Sequence, residues 1–323
     1  MLDYLAYVET VADGDLFTDR DHYYGDWCDM LPELGMTRPL GRCQSFNTPP
    51  EITVAAIVSR AYDQMGEMAK IMGRDADAAR FHVRRDEIRT AFHAAFYDAE
   101  AGSYGSQTAN AMALSFGIVP QDLREGVAAA LEYDVRVTWD GHHSVGALGE
   151  AWLYPALSDY GHTDTAYGVF AADGAPGYEY LFNTLNGTTL WEDISKYEPE
   201  RGVEPGKSLN HPFKGGYDGW FYSGLGGIQP DPAHPGYKHF SLSPVFPSDL
   251  AHATVSLAAP YGMIRSAWKR EDGGITWSVS VPHNTSATVS LPGPITSDRT
   301  IGPGDYQFCL TGSGEAILDW SKQ

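Results

Sequence analysis

A carboxylate stands directly beside an aromatic side chain at Trp191 and Glu192, and this pair is the clearest candidate for chemistry in the chain of 323 residues. Two threonines precede the pair, and a polar cluster that ends in His211 follows it. An aromatic ring can stack on the C–H face of a sugar, while hydroxyl, amide and imidazole groups bind sugar hydroxyls. A carboxylate can act as acid, base or nucleophile at the anomeric carbon. The combination therefore favours a carbohydrate site.

The same three residues also have an ordinary structural interpretation. Trp191 could belong to the core, Glu192 could be a charge on the surface of a helix, and His211 could cap a helix. A Trp-Glu pair is a short signal, so spacing alone does not separate this interpretation from a sugar site. The sequence around the pair has to decide between them.

Further distinctive segments occur along nearly the whole chain, in this order: Tyr24-Gly25-Asp26-Trp27, residues 104–109, 144–149, 157–167 and 176–178, then Asn186-Gly187-Thr188-Thr189-Leu190-Trp191-Glu192 and Ser208-Leu209-Asn210-His211. As an ordered series they resemble the catalytic domain of the bacterial α-L-rhamnosidases, the inverting enzymes of glycoside hydrolase family 78. The series is much more specific than any one of its motifs. The resemblance therefore favours the sugar site over the structural interpretation.

The resemblance implies a role for each candidate residue. Glu192 would be the general base, and Trp27 would form a wall of the rhamnose subsite with Asp26 as its polar support. We expect His211 to contact sugar hydroxyls and Trp191 to shape the pocket near the base. The implied ligand is a rhamnose-containing oligosaccharide or glycoside. No residue in the sequence indicates a metal ion or an organic cofactor.

One part of the family pattern is missing. In these enzymes the general acid belongs to an acidic motif, Asp-Cys-Pro-Gln-Arg-Asp-Glu, upstream of the Gly-Asp-Trp segment. No such motif occurs in this sequence, and the segment Asp19-Arg20-Asp21 matches it only poorly. If the chain recruits another acid, the candidates are Asp26, Asp29, Glu150, Glu179 and Glu198.

Three accounts of the chain follow from this departure. It is a truncated or excised part of a rhamnosidase, a divergent member with a different acid, or a non-catalytic sugar-binding or structural remnant of the fold. The enzymatic account predicts hydrolysis of terminal α-L-rhamnosides from plant glycosides or from bacterial and pectic polysaccharides. Part of a barrel would expose apolar helix faces, so we expect association of the chain with itself or with an N-terminal part.

Apolar spacings of three and four residues predict a series of helices. They cover residues 49–72, 75–96, a loop and helix over 104–114, 121–133, and a hairpin of 144–160 with 163–172. Pro50 suits a helix start, and Gly73 suits a helix end. Successive pairs of helices are typical of an (α/α) toroid. The resemblance implies an (α/α)6 toroid over residues 1–232, apparently lacking its first helices.

The composition changes after Ile228, where a segment rich in proline cannot continue a helix. Residues 253–257, 275–281 and 286–291 alternate with a period of two, and the pair Asp272-Gly273 is a hairpin signal. Residues 236–323 are therefore predicted to form a small antiparallel β-sandwich.

The formal net charge of −20 argues against nucleic acid and against anionic membrane surfaces as partners, because both select basic patches. Cys28, Cys43 and Cys309 lack metal-like spacing and indicate neither a disulfide framework nor a zinc site. The sequence contains no signal peptide and no apolar run of membrane-spanning length, which predicts a soluble, cytoplasmic chain.

Overall fold

The computed structural model describes residues 2–17, 24–30, 45–194, 208–271, 273–290, 298–311 and 316–317. The chain divides into two compact units, residues 1–216 and 217–323. The first unit is helical and the second contains the strands. This division falls earlier than the boundary between 232 and 236 that the sequence predicted.

The segment just before the first strand belongs to the second unit because its backbone is hydrogen-bonded there. The indole of Trp268 donates to the carbonyl of Leu225 at 2.9 Å. The backbone N–H of Val245 donates to the carbonyl of Gly224 at 3.0 Å. The proline-rich stretch therefore lies inside this unit.

The helices are α1 (Leu2–Thr10), α2 (Pro50–Ile71), α3 (Asp75–Phe96), α4 (Gln107–Ser115), α5 (Arg124–Tyr133), α6 (Glu150–Ser158), α7 (Thr163–Ala171) and α8 (Gly216–Trp220). Helix α4 packs against both α2 and α6. Each of these three helices also packs against the helix that follows it in the sequence: α2 against α3, α4 against α5, and α6 against α7. Helix α4 is buried from Gln107 to Leu114, as a helix enclosed on all sides must be. This is the array of paired helices that the sequence predicted.

Most predicted helices are confirmed, but one boundary is wrong. Helices α2 and α3 match the predicted segments, and Gly73 adopts the positive φ of +69° that ends α2. The helix predicted from Ser144 begins only at Glu150. Residues 144–149 are not helical because several of their backbone N–H groups bind side chains from other parts of the chain. Ser106 caps α4, because its side-chain oxygen accepts a hydrogen bond from the backbone N–H of Ala109 at 3.1 Å.

The second unit contains two sheets. The strands are β1 (Ile228–Pro230), β2 (His239–Leu242), β3 (His252–Ala259), β4 (Gly262–Glu271), β5 (Gly274–Val281), β6 (Ser286–Val289), β7 (Arg299–Ile301), β8 (Gly304–Thr311) and β9 (Ala316–Ile317). One sheet has the order β1-β2-β6-β7 and the other β3-β4-β5-β8-β9. Among the described strands, all pairs are antiparallel except β2 with β6. This parallel pair departs from the prediction, and the long connection between the two strands permits it.

Side chains from both sheets meet in one core. Trp268 and Trp277 are its largest members, packed with residues such as Phe240, Ile264 and Phe308. The indole of Trp277 donates to the hydroxyl of Ser266 at 2.9 Å, so its buried N–H is satisfied. Among the residues that the structure describes, no helix is long and apolar enough to cross a membrane.

A charged cluster joins α1 to the following helices. Arg84 on α3 binds both carboxylate oxygens of Glu9 on α1, at 3.0 and 2.9 Å. The hydroxyl of Tyr62 on α2 donates to the same carboxylate at 2.6 Å. Burial by itself raises the pKa of Glu9, but the hydrogen bonds from Arg84 and Tyr62 outweigh it and hold the pKa below its ordinary value. The ionised form of Glu9 therefore stabilises the fold.

This linkage predicts a pH-dependent effect of Glu9→Gln. A depressed carboxyl pKa contributes stability above the unfolded-state pKa of about 4.3, and this contribution is lost as the pH falls through the folded-state pKa. We expect the variant to lose about 1 kcal/mol of unfolding free energy at pH 7 and to approach the parent chain below pH ~4. Urea unfolding at both pH values measures this. The control is Glu100→Gln on an exposed loop, which should leave the free energy of unfolding unchanged at both pH values. An equal loss at both pH values for Glu9→Gln would contradict the linkage.

Candidate functional site

The carboxylate of Asp26 organises the loop before α6. It accepts hydrogen bonds from the backbone N–H groups of Gly146 at 2.7 Å, Leu148 at 2.8 Å and Gly149 at 2.9 Å. The hydroxyl of Thr108 on α4 donates to it as well. Four donors around one buried carboxylate compensate the cost of removing its charge from water. Asp26 therefore joins the Gly-Asp-Trp segment, α4 and residues 144–149.

This geometry supports the expected role of Asp26 as the polar support of Trp27, which stays a prediction. The Asp26 side chain is 0% exposed, and its carboxylate is engaged by four donors from the protein. A group in that environment neither binds a sugar hydroxyl nor reaches a glycosidic oxygen as an acid. Its carboxylate instead ties the segment that carries Trp27 to residues 146–149 and to Thr108 of α4.

Trp27 lies next to the candidate base. Its indole N–H donates to Oε1 of Glu192 at 3.0 Å, although 165 positions separate the two residues in the sequence. The carbonyl of Trp27 accepts from the N–H of Ala147 at 2.7 Å, which ties its backbone to the loop bound by Asp26. The ring packs edge-on against Tyr24, with 4.9 Å between the ring centroids. Trp27 is thus fixed at its backbone and at its indole.

The two halves of the central motif are paired through their backbones. The N–H of Glu192 donates to the carbonyl of Ser208 at 2.9 Å, and the N–H of His211 donates to the carbonyl of Leu190 at 2.7 Å. The hydroxyl of Thr189 also donates to a carbonyl in the second segment. These bonds place Nε2 of His211 at 3.9 Å from Oε1 of Glu192. The two motifs are therefore neighbours in space as well as in sequence.

Glu192, Trp27 and His211 form a cluster at the wall of a groove of about 560 Å³. Trp27 and His211 line the groove, and Glu192 lies beside them with 8% of its surface exposed. The other walls are mainly apolar and include Tyr24, together with Val54, Ile57 and Val58 of α2. The structure brings together three of the five residues that the sequence proposed for the site.

Trp191 is partly buried and does not line this groove. Its proposed role near the base stays a prediction. The ring of His211 packs edge-on against Phe213, with the ring centroids 4.6 Å apart, and a third of the His211 side chain is exposed. His211 therefore has surface available for a ligand.

The carboxylates considered as alternative acids are mostly buried in structural contacts. Asp29 is 0% exposed and accepts from the backbone N–H groups of Phe46 and Asn47. Glu179 is partly buried and accepts from Asn183 one helical turn away, at 2.9 Å. Glu198 lies outside the described residues.

Glu150 is excluded as a general acid by its surroundings. It is 0% exposed and lies 3.4 Å from Nδ1 of His143 and 4.0 Å from Nζ of Lys214. Burial by itself raises the pKa of Glu150, but the charges of His143 and Lys214 and a hydrogen bond from Tyr178 outweigh it and lower the pKa. An ionised, enclosed carboxylate cannot protonate a leaving group.

Sequence analysis missed the loop of residues 144–149 as a binding partner of Asp26. Its two glycines carried a signal: a Cβ at Gly146 would overlap the backbone carbonyl oxygens of Asp26 and Trp27, and one at Gly149 would overlap the hydroxyl of Thr108. Close approach of two backbones is a common reason for glycine. The apolar spacing predicted a helix from residue 144 instead.

The cysteines differ from the expectation. Cys28, next to Trp27, is disulfide-bonded, whereas Cys309 is free. The other half of the bond lies outside the described residues. The predicted location of the chain stays a prediction. Among the described residues, no group of three or more His, Cys, Asp or Glu side chains is placed to hold a metal ion.

Comparison with known sequences gives two family matches. The family described as the bacterial alpha-L-rhamnosidase 6 hairpin glycosidase domain matches residues 1–225, and the bacterial alpha-L-rhamnosidase C-terminal domain matches residues 227–302. An alpha-L-rhamnosidase of Formosa agariphila is 34% identical over 274 residues, which are 83% of this chain and 28% of that protein. One from Streptomyces avermitilis is 30% identical over 292 residues, 90% of this chain and 26% of that protein. This chain therefore spans less than a third of these relatives.

Solved structures agree. The α-L-rhamnosidase from Dictyoglumus thermophilum superposes with a TM-score of 0.82 at 23% identity, covering 96% of this chain and 36% of the other. The Streptomyces avermitilis enzyme complexed with L-rhamnose gives a TM-score of 0.78 at 28% identity, covering 94% and 29%. The predicted resemblance and fold class, a helical-hairpin toroid followed by a β domain, are confirmed.

The close contact at Gly146 leads to a prediction. Gly146→Ala places a methyl group against the backbone of Asp26 and Trp27, so the loop must move and hydrogen bonds to Asp26 are lost. We expect a loss of about 1–3 kcal/mol of unfolding free energy. Chemical unfolding monitored by circular dichroism measures it. The control is Gly168→Ala on α7, where the added Cβ meets nothing within 4 Å and should stabilise the helix by about 0.5–1 kcal/mol. Equal effects of both substitutions would refute the packing argument.

Proposed function

The chain belongs to the family of bacterial α-L-rhamnosidases, and from this premise we propose that it acts on terminal α-L-rhamnosides by inverting hydrolysis with Glu192 as general base. The observation that carries the proposal is the cluster of Glu192 with Trp27 and His211. An inverting enzyme needs a carboxylate that is held in a fixed direction beside a sugar subsite. The Trp27 indole supplies that orientation.

Glu192 would take a proton from the water that attacks the anomeric carbon. Its Oε1 lies between the indole N–H of Trp27 at 3.0 Å and Nε2 of His211 at 3.9 Å. Because both partners line the groove, a sugar held there would lie next to the carboxylate. This arrangement supports the base role better than the surface-charge interpretation, since Glu192 is only 8% exposed.

Trp27 and His211 would bind the rhamnosyl group. The ring of Trp27 would form a wall of the subsite. Because hydrogen bonds already fix its backbone and its indole, little side-chain entropy would be lost when a sugar binds. His211 would offer an imidazole nitrogen to sugar hydroxyls. Trp191 would shape the surroundings of the base. Asp26 would act only through Trp27 and the loop of residues 144–149.

A second function, sugar binding without hydrolysis, is favoured by one observation. Hydrolysis with inversion needs a second carboxyl group about 6.5–9.5 Å from the base. Three candidates for it, Asp26, Asp29 and Glu150, are 0% exposed. The described residues of the groove wall include no aspartate or glutamate. If no acid is supplied from elsewhere, the subsite would bind rhamnose without cleaving its bond.

The hydrolytic proposal predicts the behaviour of Glu192→Gln. Glutamine keeps the shape and can still accept from Trp27, but it cannot take a proton, so turnover of p-nitrophenyl α-L-rhamnopyranoside should fall at least about 100-fold. The purified chain and the variant are compared by release of p-nitrophenolate, with circular dichroism as a check on folding. Glu100→Gln, on an exposed loop, is the matched carboxylate control, and Glu179→Gln tests a candidate acid.

Each result has a distinct meaning. Activity that survives in Glu192→Gln at more than a few per cent would rule out this base. Loss in Glu179→Gln alone would identify that residue as the required acid. An inactive parent chain that binds L-rhamnose in calorimetry, with the affinity weakened by Trp27→Ala, would support the binding function instead.

We also propose that the chain associates with itself or with an N-terminal part. Helices α1 and α2 expose large apolar side chains, including Tyr4 at 62%, Tyr7 at 53% and Ile71 at 77%. Exposed apolar surface of this kind marks an interaction face. Light scattering should therefore give a mass above the 35.3 kDa of one chain. Ile71→Lys should lower that mass, and a stable monomer of the parent chain at all concentrations would contradict the proposal.

A further inference from the structure

A lysine with no exposed surface lies behind the candidate site. Lys214 is 0% exposed, which is rare for this residue type. Its ammonium group donates to the backbone carbonyls of Val145 at 3.2 Å and Cys28 at 3.4 Å. Its charge is balanced by Glu150, whose Oε2 lies 4.0 Å from Nζ. The cation therefore has both a counter-ion and hydrogen-bond acceptors.

Glu150 in turn is held by aromatic residues. The hydroxyl of Tyr178 donates to its Oε1, and that of Tyr154 approaches the same oxygen at 3.3 Å. His143 is also 0% exposed and lies 3.4 Å from Oε2. The Tyr178 hydroxyl oxygen also lies 2.6 Å from the backbone carbonyl oxygen of Lys214, so these two acceptors share its single proton. The pair is thus enclosed in a network of named partners, and neither Lys214 nor Glu150 lines the groove.

Each carbonyl that Lys214 binds is adjacent in sequence to a residue of the site. Cys28 follows Trp27, and Val145 precedes Gly146, whose N–H binds Asp26. Lys214 itself lies three residues after His211, and its own N–H donates to the carbonyl of His211 at 3.3 Å. One side chain therefore connects the segment of Trp27, the loop of residues 144–149 and the segment of His211.

Stability alone is a weak explanation for this arrangement. Replacing a buried ion pair by apolar residues of similar volume is often neutral or stabilising, so such a pair is poor evidence for a stabilising role. An apolar residue at position 214 could fill the space, but it could not bind two carbonyls from different segments. The geometry that Lys214 imposes is what an apolar side chain would not reproduce.

We propose that Lys214, with Glu150 as its counter-ion, is a positioning residue that holds Trp27 and His211 in register with Glu192. It touches neither the sugar nor the reacting atoms. The proposal uses the proposed function only to say what the positioned residues are for. The proposal states that a folded chain without the Lys214 ammonium has Trp27 displaced from Glu192.

The test separates positioning from stability. Lys214→Met leaves Glu150 buried with His143 as its remaining charged neighbour and is expected to lower the melting temperature. Lys214→Met combined with Glu150→Gln removes both charges and is expected to recover most of that loss. The hydrogen bonds that the Lys214 ammonium makes to the backbone carbonyls of Cys28 and Val145 are still absent in the double variant. If Lys214 positions the site, the double variant regains stability without regaining the geometry at Trp27.

The geometry is read from the indole N–H of Trp27 in nitrogen–proton correlation spectra, with its peak assigned by Trp27→Phe. In the parent chain this proton is bound to Glu192. In the double variant we expect its peak to shift and its exchange with solvent to accelerate at least about tenfold. Tyr154→Phe, which removes a hydroxyl contact to Glu150 but leaves the Lys214 bonds, should leave the peak in place.

An unchanged Trp27 peak in a folded double variant would overturn the proposal. This reading does not depend on sugar binding, so it stands even if the chain neither hydrolyses nor binds rhamnosides. If the parent chain binds L-rhamnose, the dissociation constant should rise about tenfold or more in the double variant, because small displacements of positioned groups are costly. Restoration of both stability and affinity would show a purely structural role and would also overturn it.

Discussion

The site depends on one buried anion, the carboxylate of Asp26. Three backbone N–H groups and one hydroxyl converge on it, and none of them belongs to its own segment. A buried charge that loses its partners costs several kcal/mol, so separating the loop of residues 144–149 from the Gly-Asp-Trp segment is strongly unfavourable. The orientation of Trp27, and with it the hydrogen bond to Glu192, follows from that constraint.

A buried cation complements the anion on the same loop. Asp26 accepts hydrogen bonds from the backbone N–H groups of residues 146, 148 and 149. Lys214 donates hydrogen bonds to the backbone carbonyls of Cys28 and Val145. Both charges are 0% exposed and both act on irregular backbone that has no helix or strand to satisfy it. The part of the groove wall that carries Trp27 and His211 is thus formed by loops, and the two charges that fix these loops are buried in the helical unit.

The sequence predicted what local patterns determine. The apolar spacing, Pro50 and Gly73 were sufficient for α2, and the motif of Glu192 with the segment of His211 identified two parts of the site. The apolar spacing gave the wrong helix start at residues 144–149, because backbone N–H groups there donate to Asp26, more than 100 residues away. Lys214 could not be found either, since a charged residue in sequence gives no sign of being fully buried.

The central claim is that the groove beside Trp27, Glu192 and His211 is a rhamnose subsite. A crystal structure of the chain soaked with L-rhamnose tests it most directly. The account predicts the sugar in contact with the Trp27 ring, a hydroxyl bound to His211, and the anomeric carbon facing the carboxylate of Glu192 across one water molecule. A sugar bound elsewhere, or an empty groove at saturating L-rhamnose, would contradict the account.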